Sequence, residues 1–151
     1  VRDDELTPKD YYYLLLGQYA QTSRLIDSSA NRGLVVADTN SLVTKAYYDY
    51  YLKESPVQDE ETDTFDNLFA SILSKEKWDL ILFAEPVGAY VNDGFRDMSM
   101  ADEAIRSDFS SYLKKLKEQC LAHIPTVYLA GSYLDNYQAA KEAIDMIYQA
   151  D

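Results

Sequence analysis

At 151 residues, 47% of them hydrophobic, the chain is long enough to bury a core as one domain and too apolar for a disordered segment. A net charge of -12 at pH 7 opposes any sequence-independent grip on nucleic acid, which needs clustered Lys and Arg to neutralise phosphates. The lone Cys120 cannot form an intramolecular disulfide, the lone His123 supplies no zinc set, and no apolar run approaches the length of a membrane span.

The N-terminus has neither the charged n-region nor the apolar h-region of a signal peptide, so a cytoplasmic protein is expected. The acidic balance is compatible with a cationic small substrate, though charge alone does not select one.

In chain order, Thr7-Pro8-Lys9-Asp10 announces a helix: a hydroxyl cap, a proline at the first helical position and an acid three residues after the cap. It is expected to run to about Ser28. Leu34-Val35-Val36-Ala37 then shows no polar alternation, the pattern of a strand covered on both faces, and places a strand at 33–38. Asp38 sits at its carboxyl end, where open α/β sheets bind ligands and where an acid can hold a magnesium ion or take a proton. The plainer reading makes Asp38 an N-cap or turn residue.

Leu42, Val43, Ala46, Tyr47, Tyr50 and Tyr51 recur with helical spacing until Glu54-Ser55-Pro56 stops them. The acidic stretch 58–64 reads as a loop. Phe65, Leu68, Phe69, Ile72 and Leu73 form the stripe of an amphipathic helix, and a second buried strand follows at 78–84. Residues 87–97 are too long and too oddly composed for a plain connection, as functional loops are.

A further helix carries Ile105, Phe109, Tyr112, Leu113, Leu116 and Cys120 on one face, which puts the cysteine in the core. A third strand is expected at 126–130. Ser132 and Asp135 then make a Ser-x-x-Asp cap that opens a last helix through Ala139, Ala140, Ala143, Ile144 and Ile147. The order α-β-α-α-β-α-β-α predicts an α/β domain: a three-layer parallel sheet with helices on both faces. Most of the fourteen tyrosines fall on helices, as half-buried packing.

Certain residues also resemble a known family. They are Asp10-Tyr11 with Gly17-Gln18, Ala30-Asn31-Arg32, Asp38-Thr39 with Thr44, Trp78-Asp79-Leu80, the run Tyr90-Val91-Asn92-Asp93-Gly94-Phe95-Arg96, and Gly131-Ser132-Tyr133. In that order and spacing they resemble the ribosylnicotinamide (nicotinamide riboside) kinase domain at the C-terminus of NadR proteins, a P-loop kinase fold. The resemblance implies a nucleoside-kinase-like domain over 1–151 that phosphorylates nicotinamide riboside to the mononucleotide in NAD salvage, with ATP and Mg2+.

Phosphoryl transfer asks a protein mainly for positioning and charge neutralisation, with an acid near the acceptor hydroxyl and a cation near the moving phosphate. The resemblance casts Asp38 as the base or magnesium-water ligand and Arg96 as a lid cation; the plain alternative pairs Arg96 with Asp93 or Asp97. Asp93 is implied as acceptor for ribose hydroxyls, Gln18 as a substrate contact, and Gly131, Ser132 and Tyr133 as nucleotide-binding. Tyr90 is implied as a platform for the cationic nicotinamide ring, with loop packing as its alternative.

No Gly-x-x-x-x-Gly-Lys-Ser/Thr occurs in the chain. In the family that loop lies upstream, so the domain is expected to be truncated, lacking its first strands: either the strands at 33–38 and 78–84 close up and pair directly, or another segment, such as one from a second copy, fills the open sheet position by strand addition. Asn40 stands where the family often has a second Asp, Tyr90 where it often has Trp, and Asn136 where it often has Arg. Expected partners are a small-molecule nucleoside and ATP, with no nucleic acid and no membrane. The rival reading is a non-catalytic nucleotide-binding or interaction module. A response-regulator receiver is opposed by Gly131-Ser132, where it would need a lysine.

Overall fold

The computed structural model describes residues 5–28, 33–52, 60–86 and 98–149. Among these residues the elements are α1 (Pro8–Asp27), α2 (Ser41–Leu52), α3 (Glu60–Lys75), β1 (Ile81–Ala84), a short 3-10 helix (Met98–Ala101), α4 (Glu103–Leu121), β2 (Thr126–Leu129) and α5 (Tyr133–Gln149). The result is a mostly helical α/β structure with a small parallel sheet. The described residues fall into two units, one ending at Glu76 and the other starting at Lys77.

The first unit is built from α1, α2 and α3. α1 starts where its sequence signal places it: Thr7 Oγ1 accepts from the Asp10 N–H at 3.3 Å, and the Asp10 carboxylate accepts from the Thr7 N–H at 2.8 Å. This reciprocal box satisfies two orphan donors of the first turn.

Tyr11 and Leu15, four residues apart on one face, are buried. The Tyr11 ring meets Tyr48 of α2 edge-on, with centroids 5.7 Å apart, and Tyr48 stacks on Phe65 of α3 at 3.8 Å. One aromatic ring from each helix thus forms the core, and Phe65 is fully buried. Lys45 lies over the Tyr48 and Phe65 rings at 5.2 and 5.7 Å while its ammonium pairs with Asp49 at 2.9 Å and Asp66 at 3.1 Å. Its stem covers aromatic surface and its charge stays compensated. At the other end of the α2–α3 seam, buried Ser41 donates to Glu76 at 2.6 Å. With Tyr48 against Phe65 and Ser41 against Glu76, α2 and α3 run antiparallel.

In the second unit β1 and β2 pair in parallel, Ile81 opposite Thr126 through Ala84 opposite Leu129. Parallel strands cannot be joined by a tight turn, and α4 lies in the crossover between them. Phe83 and Tyr128 are register partners with ring centroids 5.5 Å apart, and Lys114 of α4 reaches over both, 5.6 and 5.3 Å from the centroids. α5 packs along β2, with Ala139, Ala140, Ala143, Ile144 and Ile147 partly covered, as their spacing predicts.

Several expectations are corrected. Residues 33–38 hold no strand: among the described residues the sheet has two strands, at 81–84 and 126–129, both shorter than expected. Leu34 and Val36 are exposed while Val35 and Ala37 are partly covered, so burial alternates with a strand's period although no ladder forms. A β-strand exists only through a hydrogen-bonded neighbour, and an apolar run does not encode one.

α3 begins at Glu60, inside the stretch read as an acidic loop. On α2 the buried tyrosine is Tyr48, whereas Tyr50 is exposed. Tyr112 of α4 is likewise exposed and Cys120 only half-buried.

Replacing Phe65 by Ala should lower the unfolding free energy by about 3–5 kcal/mol, read from the urea midpoint. The same core sets an alkaline limit. Burial alone would lower the Lys45 pKa, but hydrogen bonds and charges from Asp49 and Asp66 outweigh it and raise it above the ordinary 10.5. Burial likewise raises the Tyr48 phenol above 10.0, against a smaller opposing effect from its hydrogen bond with Thr62. The folded state keeps both protons longer than the unfolded chain does. Both contributions are therefore complete below about pH 10 and are lost as pH rises through the folded-state values. Stability should fall above that pH, and fall less in a Lys45→Met, Tyr48→Phe double variant; an identical alkaline limb would contradict the assignment.

Candidate functional site

Asp38 lies on the bend that leads into α2, with its side chain exposed. Next to it Thr39 has φ = 67°, the left-handed region. For a β-branched residue that conformation costs on the order of 1–3 kcal/mol and persists only where its surroundings impose it.

The side chain that meets Thr39 is that of Gln18. Its Nε2 donates to Thr39 Oγ1 at 2.8 Å, and Thr44 Oγ1 donates to its Oε1 at 3.1 Å. Gln18 lies seven residues after Tyr11, and Thr44 four before Tyr48, so the polar pair continues the aromatic seam of two antiparallel helices. Asn40 completes the turn as the N-cap of α2: its side-chain oxygen accepts from the Leu42 N–H at 3.1 Å, and its carbonyl accepts from Val43 at 3.1 Å. The capping role considered for Asp38 thus belongs to Asn40.

The turn therefore presents one carboxylate at a helix N-terminus, engaged in no hydrogen bond or ion pair with the other described residues. Asn40 uses its side-chain oxygen on the cap and Thr39 Oγ1 accepts from Gln18, so Asp38 is the carboxylate of this turn. Among the described residues no three His, Cys, Asp or Glu side chains gather as a metal cage. Such a donor set fits magnesium brought by a nucleotide, which takes one or two carboxylates and completes its shell with phosphate and water.

In the second unit Gly131-Ser132-Tyr133 forms the turn from β2 into α5. Ser132 Oγ accepts from the Asp135 N–H at 3.2 Å and donates to its carboxylate at 2.7 Å, the cap that the Ser-x-x-Asp spacing predicts. The Gly131 N–H donates to Asn136 Oδ1 at 2.9 Å, which gives Asn136 a structural task at this turn. A Cβ on Gly131 would lie 3.0 Å from Asp135 Cβ, so the turn tolerates no larger residue without shifting. Tyr133 is 89% exposed, its ring open to a ligand or to solvent.

Glu85, just past the carboxyl end of β1, was given no role in the sequence reading. Lys114 forms an ion pair with it and Ser110 donates to it at 3.3 Å, which fixes the start of the segment after β1. An acid directly after an apolar strand was the signal available. Tyr90, Asp93 and Arg96 lie outside the described residues.

The family model described as an AAA domain matches residues 3–135. The chain belongs to the AAA domain family. Among the solved structures that match, two do so over 99% of this chain. A NadR protein in complex with NR is 32% identical with a TM-score of 0.76. A NadR protein in complex with NAD and AMP-PNP is 29% identical with a TM-score of 0.73. The chain spans 39% and 37% of those two chains. Among curated proteins no match is found. The likeness to NadR proteins implied by the sequence motifs, with a P-loop-type α/β fold, is thus met in structure. No helix among the described residues is long and apolar enough to cross a membrane.

Replacing Ser132 by Ala in this AAA domain should cost about 1 kcal/mol of stability through the lost cap, and Ser132→Thr should restore most of it. Thermal denaturation of the two variants measures the difference.

Proposed function

We propose that this AAA domain forms part of an ATP-dependent nicotinamide riboside kinase. The observation that carries this reading is the likeness, across 99% of the chain, to a NadR protein in complex with NR. The Asp38 turn supports it chemically: an exposed carboxylate on a rigid bend suits a group that takes the proton of an acceptor hydroxyl or holds a magnesium-bound water. ATP with Mg2+ supplies the phosphoryl group and screens its charge when bound.

In this reading Asp38 orients and deprotonates the riboside hydroxyl, Arg96 neutralises the transferring phosphate, and Asp93 accepts from ribose hydroxyls. Tyr90 stacks on the cationic nicotinamide ring, a contact of about 0.5–1 kcal/mol. Gly131, Ser132 and Tyr133 lie against the nucleotide. The whole of 1–151 acts as a single P-loop-type domain.

The second reading is a binding module without catalysis. It is favoured by Asn40, a neutral residue where the family often has a second Asp, whose side-chain oxygen caps α2.

The full-length protein should phosphorylate nicotinamide riboside with MgATP in preference to adenosine or uridine, because only the first carries a cationic ring. Asp38→Asn should lower kcat by ~10²-fold or more with little change in KM. Equal turnover of the three nucleosides would remove the specificity, and tight binding of nicotinamide riboside with no turnover would select the binding module.

A further inference from the structure

We infer that Gln18 is a positioning residue for Asp38, acting through the backbone of Thr39 rather than by touching substrate. The inference rests on the kinase reading only for its effect on rate.

Three observations lead to it. Thr39 is held at φ = 67°, a conformation that a β-branched residue leaves unless something retains it. The Gln18 amide is engaged at both ends within the fold, donating to Thr39 at 2.8 Å and accepting from Thr44 at 3.1 Å. The next residue along, Asn40, is pinned as the cap of α2. With the chain fixed on the helix side by Asn40 and on the Thr39 side chain by Gln18, the direction in which Asp38 leaves the backbone is set.

Thr44 has an orienting part. By donating to Oε1 it leaves the Nε2 end facing Thr39. Gln18 belongs to a 20-residue helix anchored by Tyr11 and Leu15, so the clamp is mounted on a rigid element. Both ends of the Gln18 amide are turned onto the segment that carries Asp38.

The test is made in the full-length protein with Gln18→Met, near-isosteric and a good helix former but without the amide. Thr44→Val, which removes only the orienting contact, is the second variant. The direct readout is the sign of φ at Thr39, from its intraresidue HN–Hα NOE in a selectively labelled sample. Loss of the left-handed signature in Gln18→Met, with a weaker loss in Thr44→Val, supports the clamp; retention of positive φ in both overturns it. This readout needs no activity, so it stands even if nicotinamide riboside is not turned over.

The kinetic readout is rescue. Gln18→Met should lower kcat by ~10- to 100-fold, the scale on which small misplacements act, with little change in KM for either substrate. Adding Thr39→Gly, which takes positive φ at no steric cost, should recover most of it. A Gln18→Met defect confined to KM for the nucleoside, or one that Thr39→Gly does not relieve, would make Gln18 a substrate contact and overturn the proposal.

Discussion

The stack of Tyr11, Tyr48 and Phe65 is the constraint on which the first unit depends. Each ring comes from a different helix, so one packing event sets the relative rotation and translation of all three. Aromatic contacts suit this task because they bury a large area and favour only a few ring geometries. Lys45 reinforces the arrangement by lying over the rings while Asp49 and Asp66 compensate its charge. A half-buried cation paired in this way adds registry as much as energy.

That registry is transmitted to the candidate site. The seam that brings Tyr11 to Tyr48 also brings Gln18 to Thr44, two turns along, and Gln18 then holds Thr39 in a conformation the residue would not choose. Local strain is sustained by distant packing. Strained turns of this kind gather where a protein presents a reactive group, since the geometry must not relax when the ligand arrives.

The second unit solves a different problem with the same economy. Two four-residue strands in parallel need a crossover, and α4 supplies it. Its Lys114 and Ser110 converge on Glu85, so the residue just past β1 is held by the helix that follows. At the end of β2 the turn into α5 is closed by Ser132, Asp135 and Asn136. A rigid backbone at the carboxyl end of both strands is what a ligand site on a parallel sheet requires. Together with the likeness to NadR structures, these ends give the kinase reading its physical footing.

The sequence by itself determined what depends on neighbours within a turn or two of chain. Thr7-Pro8-Lys9-Asp10 and Ser132 with Asp135 gave the starts of α1 and α5 correctly, because a capping box is complete within four residues. The stripe from Phe65 to Leu73 marked the face that α3 buries, and the motifs from Asp10 to Tyr133 marked the family. Tertiary structure alone decided the rest. Residues 33–38 carry an apolar run but no ladder, since pairing depends on a backbone remote in the chain. Tyr48 is buried and Tyr50 is not, although both are tyrosines on one helix, because only the first faces Phe65. Asn40 was read as a lost acid and is a cap. The packing of α1 on α2 turned the Gln18 amide towards Thr39, a partner twenty-one residues away.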